Sequence, residues 1–256
     1  MGMKEQIPEL DSHFLKKGHE TYLRHISVDC VIFGFHENEL KVLLLKWTKG
    51  PWCLPGGFVR REESLQDSAT RTLQERTGLK NIFLQQFHAF GDPQREKKKS
   101  EINHDQKGGW LQERFVTIGY YALVEFSKVK PHPDFLSEDC RWWDIHAVPA
   151  LMYDHNEILE KALSILRLNL NDHPVGYNLL PGKFTMPDLQ KLYETILDRA
   201  LDRRNFQKKM VSLDVLLRLK ERKTGGAHKA PYLYQFDKHK YARALKEGLS
   251  GLRFVG

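Results

Sequence analysis

The sequence predicts an α/β protein of two domains, and three observations carry this. β-rich runs alternate with helical periods over the first two thirds of the chain. A stretch at 171–183 with two Pro and two Gly then interrupts the pattern. Beyond it, two short amphipathic helices are followed by two β-rich runs. The boundary falls at 172/173. It separates residues 1–172, with 1–24 as an N-terminal arm, from residues 173–256.

The 256-residue chain has room for two ordinary domains. Charged residues at 29% and hydrophobic residues at 41% are ordinary globular usage and argue against disorder. The longest apolar run, around 117–126, holds two Tyr and a Glu and is too short to span a membrane. The first residues are polar and lack the apolar core of a secretory signal. Cys30, Cys53 and Cys140 are widely spaced, with no CxxC pair, which fits a reducing cytoplasm and excludes a disulfide framework or zinc ribbon. The net charge of +7 is unevenly distributed: −2 over residues 1–179 and +9 over 180–256. A basic terminal domain beside a near-neutral one points to a polyanion partner.

The elements follow in order. Residues 25–35 and 40–47 read as strands of a hairpin with Asn38 in the connection. Pro and Gly punctuate a loop at 50–57. A helix is predicted over 63–77, with Ser64 and Asp67 as its capping box and Gly78 as its stop. Strands at 82–90 and 115–126 flank a long polar connection, 91–109, read as either mobile or functional. A short strand is expected at 141–145. Residues 154–170 form an amphipathic helix, with Ile158, Leu159, Ala162, Leu163 and Leu166 on one face and Asp154 and Glu157 spaced as a capping box.

The most specific feature is the loop and helix at 54–79. Gly57, Glu63, Arg71, Leu73, Glu75, Gly78 and Leu79 fall on the spacing G-x5-E-x7-R-E-U-x-E-E-x-G-U. This resembles the Nudix box, and the resemblance implies a Nudix α/β/α sandwich over about 25–170. Hydrolases of that family hold Mg²⁺ through three helix carboxylates, since a hard cation needs several oxygen ligands. Thr72 and Arg76 stand at two of those positions, and only Glu75 remains. The box Gly57, Glu63, Arg71, Thr72, Glu75, Arg76 and Gly78 therefore reads as degenerate. It has no catalytic or metal residues, no cofactor, and a Glu63–Arg71 ion pair kept for structure. A retained pocket would bind an effector through Trp47, Gly56, Gly57, Phe58, Arg60 and Glu75.

The C-terminal domain reads as a winged helix-turn-helix. Thr185 and Asp188 form a capping box ahead of a helix that buries Leu189, Leu192, Tyr193 and Ile196. Asp202 caps a second helix that faces inward with Phe206, Met210 and Leu213. Its other side presents Arg203, Arg204, Asn205, Gln207, Lys208 and Lys209, donors suited to phosphates and base edges in a major groove. Strands at 215–220 and 232–236 hold a glycine-rich wing in which Lys223, His228 and Lys229 are the candidate DNA contacts.

Together the two domains resemble the Nudix-related transcriptional regulators, which join a Nudix-like effector domain to a C-terminal winged helix. The segments FTMPDLQKLYETIL and LDRRNFQKK carry this along with the altered box. The resemblance implies a homodimer on a palindromic double-stranded DNA operator, and an effector such as ADP-ribose or a pentose like arabinose. A competing reading is a Nudix hydrolase of ADP-ribose or another nucleoside diphosphate derivative, with Glu62 or the 91–109 loop replacing lost ligands. A third is a basic module for RNA or an acidic protein. The His residues show no zinc spacing, Trp142 and Trp143 read as packing, and 95–99 reads as a solvated loop that could reach an effector phosphate.

Overall fold

The computed structural model describes residues 12–48, 50–80, 82–95, 110, 113–134, 136–170, 176–223 and 230–247. Two compact units divide the chain. The first draws on 1–32, 42–122 and 129–162; the second draws on 33–41, 123–128 and 163–256. The expected boundary at 172/173 lies outside the described residues. Among them, no helix is long and apolar enough to cross a membrane.

Helix α1 (Ser12–Thr21) runs directly into strand β1 (Tyr22–His36), so part of the expected arm is structured. β1 turns into β2 (Glu39–Trp47) through Glu37 and Asn38, whose φ values of 50° and 64° are both left-handed. Two such residues make the tight turn that matches strand twist, so the hairpin closes in two residues rather than across 34–39. The expected loop at 50–57 contains two short strands instead, β3 (Trp52–Cys53) and β4 (Gly56–Arg60). β3 pairs with the end of β2, and β4 lies antiparallel to the start of β1, with Asp29 opposite Gly56 and Ser27 opposite Phe58. Cys30 N–H donates to the Pro55 carbonyl at 2.7 Å, closing the corner between them. A Cβ on Gly56 would lie 2.4 Å from Asp29 Oδ1, so only glycine permits this approach.

Strands β5 (Phe83–Phe90), β6 (Val116–Val124) and β7 (Ser137–Asp144) complete a sheet with the path β3-β2-β1-β6-β5, with β4 on β1 and β7 on β2. The central strands read as continuous apolar runs, and Val28, Val31, Ile32, Leu43, Leu44, Tyr120 and Ala122 are all buried. Helix α2 (Leu65–Thr77) has the predicted ends. Ser64 Oγ accepts from Asp67 N–H, and Gly78 stops the helix at φ 70° while donating to the Gln74 carbonyl. The helix is held onto β4 where Ser68 Oγ–H donates to the Phe58 carbonyl at 3.4 Å. Helix α3 (His155–Asn169) buries Ile158, Leu159, Ala162 and Leu166 as its period requires.

In the second unit, a helical turn α4 (Gly176–Leu179) occupies part of the expected linker. Gly176 is buried, and a Cβ there would come within 2.8 Å of Leu189 Cδ1. Strand β8 (Phe184–Thr185) leads into α5 (Met186–Leu197) through the predicted capping box: Asp188 N–H donates to Thr185 Oγ1 at 3.2 Å, and Thr185 N–H to Asp188 Oδ2 at 2.9 Å. Helix α6 (Arg203–Ser212) begins at Asp202, whose carboxylate accepts from Asn205 N–H at 2.8 Å. Leu189, Leu192, Tyr193 and Ile196 of α5 are sealed, with Phe206 and Met210 of α6. Tyr193 and Phe206 meet edge to face at 5.4 Å. Strands β9 (Leu216–Arg222) and β10 (Tyr232–Phe236) join β8 in the order β8-β10-β9. Helix α7 (Lys238–Glu247) follows, an element the sequence reading did not anticipate; it packs Tyr241 against Tyr177 and Phe236.

Candidate effector pocket and nucleic-acid interface

A cavity of about 480 Å³ opens in the first unit. Trp47, Gly56, Gly57, Phe58, Arg60 and Glu75, the six candidate effector residues, all line it. Three local devices build it. The β3–β4 corner carries Gly56 and Gly57, α2 supplies Arg71, Glu75 and Arg76, and the segment before β7 supplies Asp134. Aromatic side chains form one wall: Phe58 packs against Tyr22 at 5.9 Å and Phe115 at 5.4 Å.

The box residues hold one another. Arg71 Nε donates to Glu63 Oε1 at 2.7 Å, and Nη2 donates to Glu63 Oε2 and the Phe58 carbonyl, each at 3.0 Å. This is the structural ion pair expected from the sequence. It keeps the Glu63 carboxyl below the usual carboxylate range, through the Arg71 hydrogen bonds first. Thr72 lies beneath Gly57, and its buried Oγ1 has no hydrogen-bond partner among the described residues. Arg76 is nearly sealed from solvent. Its Nη2 donates to Asp134 Oδ2 at 3.0 Å and lies 3.6 Å from Glu75 Oε2.

Arg95 departs from its expected place in a solvated loop. Its side chain is 12% exposed and lines the cavity. Nε lies 2.5 Å from Asp154 Oδ2, Nη1 donates to the Phe90 and Phe115 carbonyls, and Nη2 is 3.9 Å from Asp29 Oδ2. Asp154, expected to cap α3, thus directs a carboxylate oxygen to Arg95. Beside them His155 Nδ1 accepts from Leu54 N–H at 3.0 Å, while Nε2 lies 3.8 Å from Asp29 Oδ1. Burial holds this imidazole below the usual histidine range, against the pull of Asp29 and Asp154. Asp29 also accepts from Thr117 Oγ1 at 2.7 Å. Asp29, Arg95 and the neighbouring Asp154 and His155 are separated by gaps of 66 and 59 residues, so no local motif announced the cluster. The isolated acid in the apolar run around Cys30 was the one available signal.

The second unit presents the other candidate surface. Arg203, Arg204, Asn205, Gln207 and Lys208 are exposed on α6, and Lys209 is half-buried, its ammonium lowered by desolvation. Two arginines in the first turn oppose the helix dipole, an arrangement that a bound phosphate reverses into attraction. Lys223 lies 3.4 Å from Asp188 Oδ1, within reach of the capping box of α5. His228 and Lys229 lie outside the described residues. Arg218 and Arg222 were not singled out from the sequence; their guanidinium carbons each lie 4.0 Å from the Tyr232 ring centre. Both guanidinium groups thus meet the same ring, and the pairing of β9 with β10 shifts register between them.

Comparisons with known proteins follow this division. The NUDIX domain model matches residues 23–163, and the NrtR DNA-binding winged helix domain model matches residues 176–236. The chain is 29% identical, over 82% of its length and 81% of the relative's, to the ADPR responsive transcriptional repressor NtrR of Acinetobacter baylyi. It is 24% identical to the ADP-ribose pyrophosphatase of Methanocaldococcus jannaschii, over 57% of this chain and 79% of that one. The crystal structure of Shewanella oneidensis NrtR complexed with a 27mer DNA superposes with a TM-score of 0.70 at 25% identity, covering 86% of this chain and 96% of that one. With residues 23–163 matched by one model and residues 176–236 by the other, the chain belongs to the NrtR-type family, in which a Nudix domain is joined to a DNA-binding winged helix domain.

Proposed function

We propose that this chain is a transcriptional repressor whose hold on DNA responds to ADP-ribose, which its Nudix domain binds without cleaving. One observation carries the reading: a guanidinium- and aromatic-lined cavity of about 480 Å³ stands on the same chain as a helix with five exposed polar and cationic residues at its start. Its size is in the usual range for small-molecule sites, about 300–1,000 Å³. Arg60, Arg71 and Arg76 suit a diphosphate, and Tyr22, Phe58 and Phe115 suit a nucleobase. The Acinetobacter relative supports the same effector by its name. A pentose such as arabinose carries no charge for these guanidinium groups, so ADP-ribose is the better match.

Hydrolysis fits poorly. Glu63 is committed to Arg71, and Thr72 and Arg76 stand where the family's hydrolases carry metal-binding carboxylates. Two copies would read a palindromic operator with recognition helices about 34 Å apart. ADP-ribose would act only to the extent that it binds the DNA-free state more tightly than the DNA-bound one.

A gel shift with the full chain and DNA upstream of its own gene tests this. ADP-ribose should release the DNA and arabinose should not. No shift at low salt, or a shift indifferent to Arg204→Ala, removes the DNA reading. Mg²⁺-dependent cleavage of ADP-ribose that Glu75→Gln abolishes removes the non-hydrolytic one.

A further inference from the structure

The Nudix fold implies a divalent metal on the carboxylates of α2, and the residues present do not fit one. Among the described residues, no three His, Cys, Asp or Glu side chains group to hold a metal ion. Glu75, the one carboxylate at the three metal-binding positions of the helix, is bracketed by cations: Arg71 Nη1 lies 3.7 Å from Oε1 and Arg76 Nη2 lies 3.6 Å from Oε2. A divalent cation at Glu75 would sit among these guanidinium groups, where like charges repel.

Arg76 is also fixed in place. Asp134 Oδ2 accepts from its Nη2, and Asp134 Oδ1 is itself held by Leu136 N–H at 2.9 Å and Ser137 Oγ–H at 2.6 Å. The Arg76 carbonyl accepts from His132 N–H at 3.1 Å, so main chain and side chain are anchored to the same segment. The side chain is 10% exposed and lines the cavity, yet its buried Nε has no hydrogen-bond partner among the described residues. A guanidinium immobilised at the wall of the cavity suits an anion, because little conformational freedom remains to be lost when a ligand arrives.

We propose that this cavity takes a diphosphate-containing ligand without a divalent cation, the Arg76 guanidinium supplying the positive charge that a metal supplies in Nudix hydrolases. The inference rests on the cavity being the ADP-ribose site, and it adds how the diphosphate is held.

The test is calorimetric titration of the full chain with ADP-ribose in EDTA and in Mg²⁺, and with inorganic pyrophosphate in EDTA. The ADP-ribose Kd should agree within about threefold between the two conditions. Arg76→Ala should weaken binding in EDTA about tenfold or more, the scale of a charge-assisted hydrogen bond. Arg76→Glu should lose binding in EDTA and recover it with Mg²⁺, a reversal that a purely structural role for Arg76 would not produce. Arg76→Lys should retain metal-free binding, and melting without ligand shows which variants fold. If none of them folds, the wild-type comparison decides alone. A tenfold or larger gain on adding Mg²⁺ to wild type, or no binding of either probe in EDTA, overturns the proposal. Pyrophosphate binding in EDTA without ADP-ribose binding upholds it and removes ADP-ribose as the effector.

Discussion

Arg95 Nε lies 2.5 Å from Asp154 Oδ2, and the two side chains are 12% and 4% exposed. The pair joins the chain after β5 to the residue that begins α3. It also borders the cavity, so stability and ligand binding meet in one contact. Removing one partner of a buried pair leaves the other charge uncompensated, at a cost of about 3–5 kcal/mol. Arg95→Ala should therefore lower stability by roughly that amount in urea denaturation. Arg95→Ala with Asp154→Asn should lose clearly less than the two single effects added. A strictly additive double variant would show the two groups to be energetically independent.

Glu63→Gln tests the loop–helix ion pair and its pH dependence. The variant should cost about 1.5–3 kcal/mol at pH 7, the scale of hydrogen bonds to a charged group. The folded-state pKa of Glu63 lies below its ordinary value of 4.5. Its contribution is therefore complete above the unfolded value and fades as pH falls through the folded one. Melting curves of wild type and variant should differ most near neutrality and converge in acid below the usual carboxylate range. A gap that widens in acid would contradict the ion-pair origin.

Gly56→Ala should be disruptive although it adds only a methyl group. The new Cβ would meet Asp29 Oδ1 at 2.4 Å and the Val28 carbonyl at 2.9 Å. Asp29 cannot easily yield, because it is buried and accepts from Thr117. Overpacking of this kind costs about 1–3 kcal/mol. The melting temperature should drop, and ADP-ribose should bind more weakly because the same corner lines the cavity. Gly182→Ala, where nothing lies within 4 Å of the added carbon, is the control.

Cations on α6 should appear in the salt dependence of DNA binding. Each one that neutralises a phosphate contributes about −0.9 to the slope of log K against log salt concentration. Arg203→Ala and Lys208→Ala should each reduce the slope by about one if they meet phosphates. A variant that instead relaxes preference at one base pair, with the slope unchanged, identifies a base-edge contact. Filter binding between low and moderate salt, on operator and scrambled DNA, separates the two roles.

The local rules were readable in advance where they depended on neighbours in sequence. Ser64 with Asp67, Thr185 with Asp188, Asp202 and Gly78 all cap the helices their spacing predicted. These contacts span three or four residues, so composition and order suffice to place them. The box spacing similarly brought Glu63 to Arg71, because eight residues of turn and helix leave little freedom between them. The short strands β3 and β4 were less legible. Their punctuation with Pro and Gly reads as a loop, and they become strands only because β1 and β2 offer edges to pair with.

By itself the sequence determined the two kinds of domain, the charge division between them, the capped helices and the cation at position 76. Only the tertiary structure decided where the lone charges went. Arg95 found Asp154, and Arg76 found Asp134, partners 59 and 58 residues away. A buried charge must find an opposite one, but which one is set by how the sheet stacks its strands and where α2 and α3 begin. That is long-range packing, and no local spacing encodes it.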